Sequence, residues 1–363
     1  MTPGGENQSR SLAGGVSSGG MQIQRVDPAD ADVVRACHAV HVAAHAVDDP
    51  EGDPPFSLAL FSAHLSHGWS CDPTEVWFVP EDLPVGDGQG GGVAAFCRLL
   101  LPDLENRDLA FMSLTVHPAF RRRGLGRALL RHAGRRAEAN GRSVLDFNVL
   151  QGSAGEAFAR RLDTEVGLVD ARRFLDLRKV QASRFATLRA EAAGHAAGYS
   201  LISWTGVTPE EELGRVAGVF NAMNDAPREE GWFEDDVWDA DRVRNRGDMQ
   251  LRFAGNRGYS VAAVHDATGE MAALTQLFVD PADPDWGHQG LTGVTRPHRG
   301  HRLGLLTKAA MLEWMATAEP QLEHIETNNA ASNSYMIAVN EALGFELAAR
   351  SFQFFALPVA KAG

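Results

Sequence analysis

The chain has 363 residues, 44% of them hydrophobic, with 47 acidic and 34 basic side chains and a formal charge of −13. That length favours two domains, and that apolar fraction excludes a disordered chain. The acidic balance repels nucleic-acid phosphates and anionic lipid and attracts cations, so a small cationic amine is the first partner to consider.

Three cysteines, Cys37, Cys71 and Cys97, are odd in number and widely spaced. They give neither a disulfide framework nor a zinc pattern, imply no metal, and fit a reducing, cytoplasmic compartment. No apolar run approaches the ~20 residues of a membrane span. The nearest, residues 91–102, is interrupted by Arg98.

Residues 1–20 are rich in Gly and Ser, without a basic-then-apolar signal pattern, and are expected to form a disordered leader. Residues 22–26 read as a strand, 30–46 and 57–67 as helices, and 93–101 and 109–116 as strands. A Gly-rich turn follows. Residues 127–140 then form a helix with Leu129, Leu130, Ala133 and Ala137 on one face, stopped by Gly141. A strand at 144–149, a short helix at 155–162 and a long strand at 166–177 complete the first half. Residues 182–198 read as a linking helix.

The second half repeats this order. A strand at 199–204 precedes helices at 210–222 and 238–244. Strands follow at 260–265, 271–279 and 290–294, then a helix at 305–315, a strand at 325–327, a helix at 332–343 and a last strand at 345–356.

The repeat is carried by two segments. The first is Val116-His117-Pro118-Ala119-Phe120-Arg121-Arg122-Arg123-Gly124-Leu125-Gly126. The second is Val294-Thr295-Arg296-Pro297-His298-Arg299-Gly300-His301-Arg302-Leu303-Gly304. Self-similarity at about one domain length means two domains rather than a solenoid. In each segment a strand-like run ends in a turn that opens a helix. Glycines there allow close backbone approach, and the helix start offers free N–H groups and the positive end of its dipole, a suitable seat for a pyrophosphate.

The first segment resembles the acetyl-CoA signature of the GCN5-related N-acetyltransferases (GNAT), Val-x-Pro followed by Gln/Arg-x-x-Gly-x-Gly/Ala. Over nearly the whole chain after residue 21, the sequence is similar to actinobacterial two-domain acetyltransferases, the group that includes mycothiol synthase. The resemblance implies an α/β (α+β) fold of two tandem GNAT-like domains. Each would be a mixed, mostly antiparallel sheet flanked by helices, at 21–180 and 199–363, with residues 181–198 linking them.

It also implies acetyl-CoA as cosubstrate. Backbone at Leu114, Thr115 and Val116 would pair with the pantetheine arm. Amides of Arg122, Arg123, Gly124, Leu125, Gly126 and Arg127 would hold the pyrophosphate, with Arg121 as the motif's Gln/Arg. In the second copy Val294, Arg299, Gly300, Leu303 and Gly304 correspond. There Arg302 stands where the first glycine is expected, which puts close approach at 302 in question.

A later family pattern, Asn-x6-Tyr-x-x-Leu-Gly-Phe, is matched by Asn333, Asn340 and Leu343-Gly344-Phe345. The resemblance makes Asn333 a cofactor contact. Asn340 replaces the tyrosine that protonates the departing thiolate, with Tyr335 as a nearby substitute. In the first half, counting back puts Gly152 and Ala159 at those two places. One half thus keeps the loop and the other keeps the second signature.

Acetyl transfer also needs a base for the amine proton. Glu326, on a second-half strand, is the candidate, against the plainer reading of a solvated strand-end acid. The run 228–239, with Trp232, Glu234 and Asp235, interleaves aromatics with acids and suits a cationic amine; the plainer reading is an acidic helix start. The arginines from Arg121 to Arg136 lack the interleaved aromatics of a nucleic-acid site and suit the phosphates of CoA.

The expectation is therefore an N-acetyltransferase acting on a primary amine of a small, cationic acceptor. No nucleic acid or membrane partner is expected, and an oligomer is left open. A non-catalytic acetyl-CoA binder or sensor is the alternative.

Overall fold

The computed structural model describes residues 16–18, 21–68, 71–81, 92–162, 164, 166–225 and 233–363. Of the expected leader, only 16–18 fall within this set. They form a strand, β1 (Val16–Ser18), paired with β2 (Met21–Arg25). The fold is the expected mixed α/β one. Among the described residues all strands join in one sheet.

In the first half, α1 (Ala31–Asp48) is capped by the Asp30 carboxylate and α2 (Leu58–His67) by the Ser57 hydroxyl. Both caps satisfy otherwise orphaned helix N–H groups. The strands β3 (Thr74–Pro80), β4 (Val93–Leu100) and β5 (Leu109–Val116) run antiparallel in sequence order. β3 has no counterpart among the expected elements. Then come α3 (Leu125–Ala139), β6 (Val144–Leu150), the short α4 (Ala154–Ala159) and β7 (Val166–Asp176).

The linking helix α5 (Ala182–Ala193) stops five residues earlier than expected. The second half contains β8 (Tyr199–Thr205), α6 (Leu213–Ala222) and a single turn α7 (Ala240–Arg242), which runs into two π-helical turns. After these come β9 (Arg257–His265), β10 (Met271–Val279), β11 (Trp286–Val294), α8 (Leu303–Ala318), β12 (His324–Ala330) and α9 (Ser334–Leu343). The expected strand 345–356 is two pieces, β13 (Glu346–Leu347) and β14 (Phe352–Pro358).

The pairing order is β1-β2-β3-β4-β5-β6-β14-β7-β12-β11-β10-β9-β8. The halves exchange their closing strands. β12 pairs with β7 over its whole length, from His324↔Asp176 to Ala330↔Asp170. β14 pairs with β6, from Pro358↔Val144 to Phe352↔Leu150. Phe355 and Leu357, buried on β14, therefore belong to the core of the first half, where Phe355 stacks on Phe147 at 5.6 Å. Leu175 of β7 lies in the core of the second half with Ile325 and Leu343.

Candidate active site

Each half contains a fork. β5 pairs with β6 in parallel for only three positions, ending at Phe111↔Asp146. β11 pairs with β12 for three, ending at His288↔Glu326. Beyond those pairs the neighbouring strands part. Among the described residues the edges of 112–116 and 289–294 that face β6 and β12 have no ladder partner, so backbone groups there, apart from the Val116 and Val294 carbonyls, are available to an extended ligand. Leu114, Thr115, Val116 and Val294 lie on these opened edges.

At the end of each fork is the repeated loop. Arg121 donates from Nε to Val116 O at 3.2 Å and makes a bidentate pair with Asp48 at 2.9 and 2.6 Å. Arg299 repeats this with Val294 O at 3.4 Å and Asp225 at 3.0 Å. Both arginines brace the loop.

Two residues per loop adopt the left-handed conformation. They are Arg122 (φ 65°) and Gly124 (φ 86°) in the first, and Gly300 (φ 92°) and Arg302 (φ 54°) in the second. The glycine has exchanged places with the arginine, and the turn survives. Gly300 thus accounts for the turn conformation despite Arg302.

Helices α3 and α8 start at Leu125 and Leu303, two residues earlier than expected. Among the described residues no backbone acceptor takes the N–H groups of Arg122, Arg123, Gly124, Leu125, Gly126 or Arg127. A converging set of free amides at a helix start fits a pyrophosphate. Gly126 and Gly304 sit at matching places, where an added Cβ would meet Val116 at 3.8 Å and Val294 at 3.7 Å.

The two forks differ in chemistry. In the first, Asp146 is buried and its carboxyl is pushed up to about 7 by burial. It stands opposite Phe111, which stacks on Phe233 of the second half. In the second, Glu326 accepts from His288 Nδ1 at 3.2 Å and from Asn328 Nδ2 at 3.0 Å. Glu326 is buried, so it is not the solvated strand-end acid of the plainer reading. Burial pushes its carboxyl up, but the hydrogen bond and charge of His288 and the charge of Arg172 hold it below the usual carboxylate range. Burial works against a charged His288, but Glu326 outweighs it and raises the imidazole.

Beside this pair lies Arg172, 1% exposed, 2.6 Å from Asp49, 2.5 Å from Asp53 and 3.3 Å from Glu326. Asp49 and Asp53 come from the segment between α1 and α2. The first half thus covers the fork of the second. Ser57 pins that segment by donating to Asp280 at 2.6 Å. Burial raises Asp53. The sets His45, Asp49, Asp53 and Asp53, His288, Glu326 each bring donor atoms within 4.8 Å of one another. The Arg172 guanidinium already serves three of these carboxylates as their cation.

A β-bulge sets the second fork apart as well. Gly290 and Leu291 of β11 stand against Gln276 of β10, whereas β4 and β5 pair without interruption. A Cβ at Gly290 would lie 2.6 Å from the Phe278 ring, so a larger residue would have to displace that ring. A bulge leaves a backbone group unpaired and re-aims its neighbours.

The remaining expected residues are placed less centrally. Asn333 caps α9, accepting from Met336 N at 3.2 Å. Tyr335, on the first turn of α9, is 55% exposed. Counting from the paired Asp146 and Glu326, the first-half counterparts of Asn333 and Asn340 are Ser153 and Arg160, one residue beyond Gly152 and Ala159. Ser153 keeps the capping role. Trp232 lies outside the described residues. Glu234 and Asn106 bond reciprocally, backbone to side chain, at 2.7 Å in both directions. The acidic segment therefore seals against the first half, with Asp235 exposed beside it.

His288, Arg172, Asp49 and Asp53 were not singled out from sequence. A histidine two residues before the glycine that forms the bulge was the available signal for the first. Nothing local marked the other three, whose meeting depends on the strand exchange.

With two loops, two forks and one exchanged sheet, the chain has the architecture of a tandem GNAT-type acetyltransferase. Residues 73–163 match the model of the acetyltransferase (GNAT) domain. Mycothiol acetyltransferase of Mycobacteroides abscessus is 28% identical over 71% of this chain and 79% of its own length. The enzyme of the same name from Mycolicibacterium smegmatis is 26% identical over 69% and 76%. Among solved structures, a tandem GNAT protein from the clavulanic acid biosynthesis pathway is 28% identical, with a TM-score of 0.75, over 93% of this chain and 98% of that one. A GCN5-related N-acetyltransferase from Sphaerobacter thermophilus, 15% identical with a TM-score of 0.60, shares the fold over 93% and 96%.

Proposed function

We propose that the chain transfers the acetyl group of acetyl-CoA to a primary amine of a small cationic acceptor, and that the chemistry belongs to the second fork. The observation that carries this reading is the His288–Glu326 pair at the mouth of an opened strand edge. Acetyl-CoA supplies an activated acyl carbon on a thioester. The protein's part is to seat it, orient the amine and move one proton.

The loop amides seat the pyrophosphate, and the unpaired edge of β11 aligns the arm that follows it. An ionised Glu326 accepts the Nδ1 proton of His288 and so fixes the tautomer, leaving Nε2 free to accept the amine proton as the new N–C bond forms. Glu326 then acts behind His288. Three carboxylates around one guanidinium leave the pocket net negative, which favours an ammonium-bearing acceptor.

The first half, with Phe111 opposite a lone Asp146, is the non-catalytic partner in this reading, and its loop is a second donor-binding seat. The halves at 21–180 and 199–363, joined through 181–198, act as one unit. Three free cysteines, two of them buried, suit a reducing cytoplasm. Among the described residues no helix is long and apolar enough to cross a membrane.

The test is acetyl-CoA consumption with a panel of polyamines, aminoglycosides, amino-sugar conjugates and peptide amines. His288→Gln should lose roughly 10²–10⁴-fold in turnover, and Asp146→Asn should keep it. The opposite pattern moves the chemistry to the first half. Binding without turnover of any amine leaves a sensor.

A further inference from the structure

Lys308 is the most unusual residue of the second half that this mechanism leaves idle. It lies on α8, five residues after the helix begins, and is 1% exposed. Its Nζ donates to Asn340 Oδ1 at 2.7 Å and stands 4.9 Å from the Phe345 ring. Among the described residues no carboxylate pairs with it. Burying a lysine unpaired is costly, and burial alone brings its ammonium down to about 7.

A lysine only donates, and that fixes the polarity of the two amides beyond it. Asn340 must accept through Oδ1, so its Nδ2 must donate, which it does to Asn329 Oδ1 at 2.6 Å. Asn329 is then obliged to offer its own Nδ2. Among the described residues that group has no acceptor.

Asn329 is on β12, past the last parallel pair, where the edge toward β11 is open. Strand alternation puts it on the same face as Ile325, which packs in the core with α8 and α9. Glu326 is on the opposite face. The chain of amides and the proton acceptor therefore approach the fork from its two sides. At the corresponding first-half places stand Leu130, Val149 and Arg160, so no such chain exists there.

We propose that Lys308 is a positioning cation for the leaving thiolate: through Asn340 it holds Asn329 with Nδ2 as a polarised donor at the opened edge of the second fork. The inference rests on the second half being the donor site. As the acceptor nitrogen bonds to the acyl carbon, the C–S bond breaks and sulfur leaves with the electron pair. The amine proton goes to His288. The thiolate keeps its charge against the donor and takes a proton from water after release, so the overall reaction balances. A donor chain ending in a charge is stronger than one between neutral groups, most of all out of water.

The acidic, basic and histidine side chains on α8 and on the elements packed against it are Glu313, Arg184, Arg189, Glu191, Arg257, His265, His288 and Glu341, with Arg173 and Glu326 on the strands beyond. None of them contributes to the Lys308 shift, which leaves burial as the cause.

The test compares calorimetric affinities for CoA and for acetyl-CoA between pH 6.5 and 8.5. It uses Gly126→Glu chains, in which the first loop is closed. CoA carries an ionisable thiol and acetyl-CoA does not. A donor that favours thiolate depresses the bound thiol's pKa, and each unit of depression strengthens CoA over acetyl-CoA by about tenfold. Because burial loosens the Lys308 proton in the same range, a bound thiolate hands its proton to Lys308, and the preference changes little with pH. It should instead stand about tenfold higher in the parent than in Lys308→Met and in Asn329→Ala across the range. The second variant alters a half-buried strand residue and guards against misfolding of the first. A preference equal in the parent and both variants overturns the assignment of Lys308 while leaving the donor site standing. Failure of either nucleotide to bind the Gly126→Glu parent overturns the donor site and this inference together.

Discussion

Phe111 and His288 occupy the same place in the two halves: each is the last residue of its strand to pair in parallel, opposite Asp146 and Glu326 respectively. One repeat has a hydrocarbon ring where the other has a titratable one. That substitution leaves one fork with a histidine bonded to its carboxylate and the other with a buried carboxyl alone.

The matched glycines tell the loops apart. Neither Gly126 nor Gly304 has a positive φ, so Gly126→Glu and Gly304→Glu test the ligand seat without backbone strain. A carboxylate at either place opposes bound phosphate. Calorimetry with acetyl-CoA should count two sites in the parent and one in each variant, and turnover should vanish only in Gly304→Glu.

Arg172 should be indispensable for folding. Its loss leaves Asp49, Asp53 and Glu326 packed together without their cation. Arg172→Met should cost about 3–5 kcal/mol in urea unfolding. Arg178→Met removes the pairs of an exposed arginine with Asp176 and Glu323 and should leave the urea midpoint almost unchanged.

Acid should unfold the first half through its histidines. Burial, then the charges of His45, His38 and Arg98, lowers His41 to about 4, and burial, then Arg98 and His41, lowers His64 to about 3. Both are neutral in the folded state at pH 7, and the unfolded chain protonates them near 6.5. The contribution of these two histidines to stability is therefore level above pH 6.5 and falls as pH drops from there toward 4. Each histidine contributes at most about 1.4 kcal/mol per pH unit. Thermal melts at stepped pH should show this slope, and it should be shallower in His41→Gln.

Phe355→Ala should damage the half to which the residue does not belong in sequence. Phe355 is 1% exposed against Phe147. The truncation should cost about 3–5 kcal/mol. Hydrogen exchange should quicken first at β6, while β9 and β10 keep their protection.

Much of the fold was legible because each loop joins a strand to a helix with its own local signals. The conformational demand was legible too, although its detail was not. The pattern marked Arg302 as a misfit, but the left-handed turn needs glycine at only one of two positions, and Gly300 takes the other. Strand exchange was not legible. Alternation along β7 and β14 says which face is buried and nothing about which neighbour lies alongside. For the same reason Arg172 gave no sign of meeting Asp49 and Asp53, and Glu326 could be read as a solvated strand end. Lys308 did leave a mark. In the run 303–318, Lys308 and Glu313 are the only charged residues, and Lys308 falls among positions that face the core.

β14 lies between β6 and β7, so the sheet that is begun first during synthesis is completed by a strand made long after it. Until residues 352–358 leave the ribosome, Phe147 and Leu145 face a gap and β6 presents a bare edge. Domains commonly fold as they emerge; this chain has to wait. Its slow step joins residues far apart in sequence, and while it waits the open edge needs shelter from other nascent chains, which makes a holding chaperone more valuable to this protein than to a single-domain relative of the same fold.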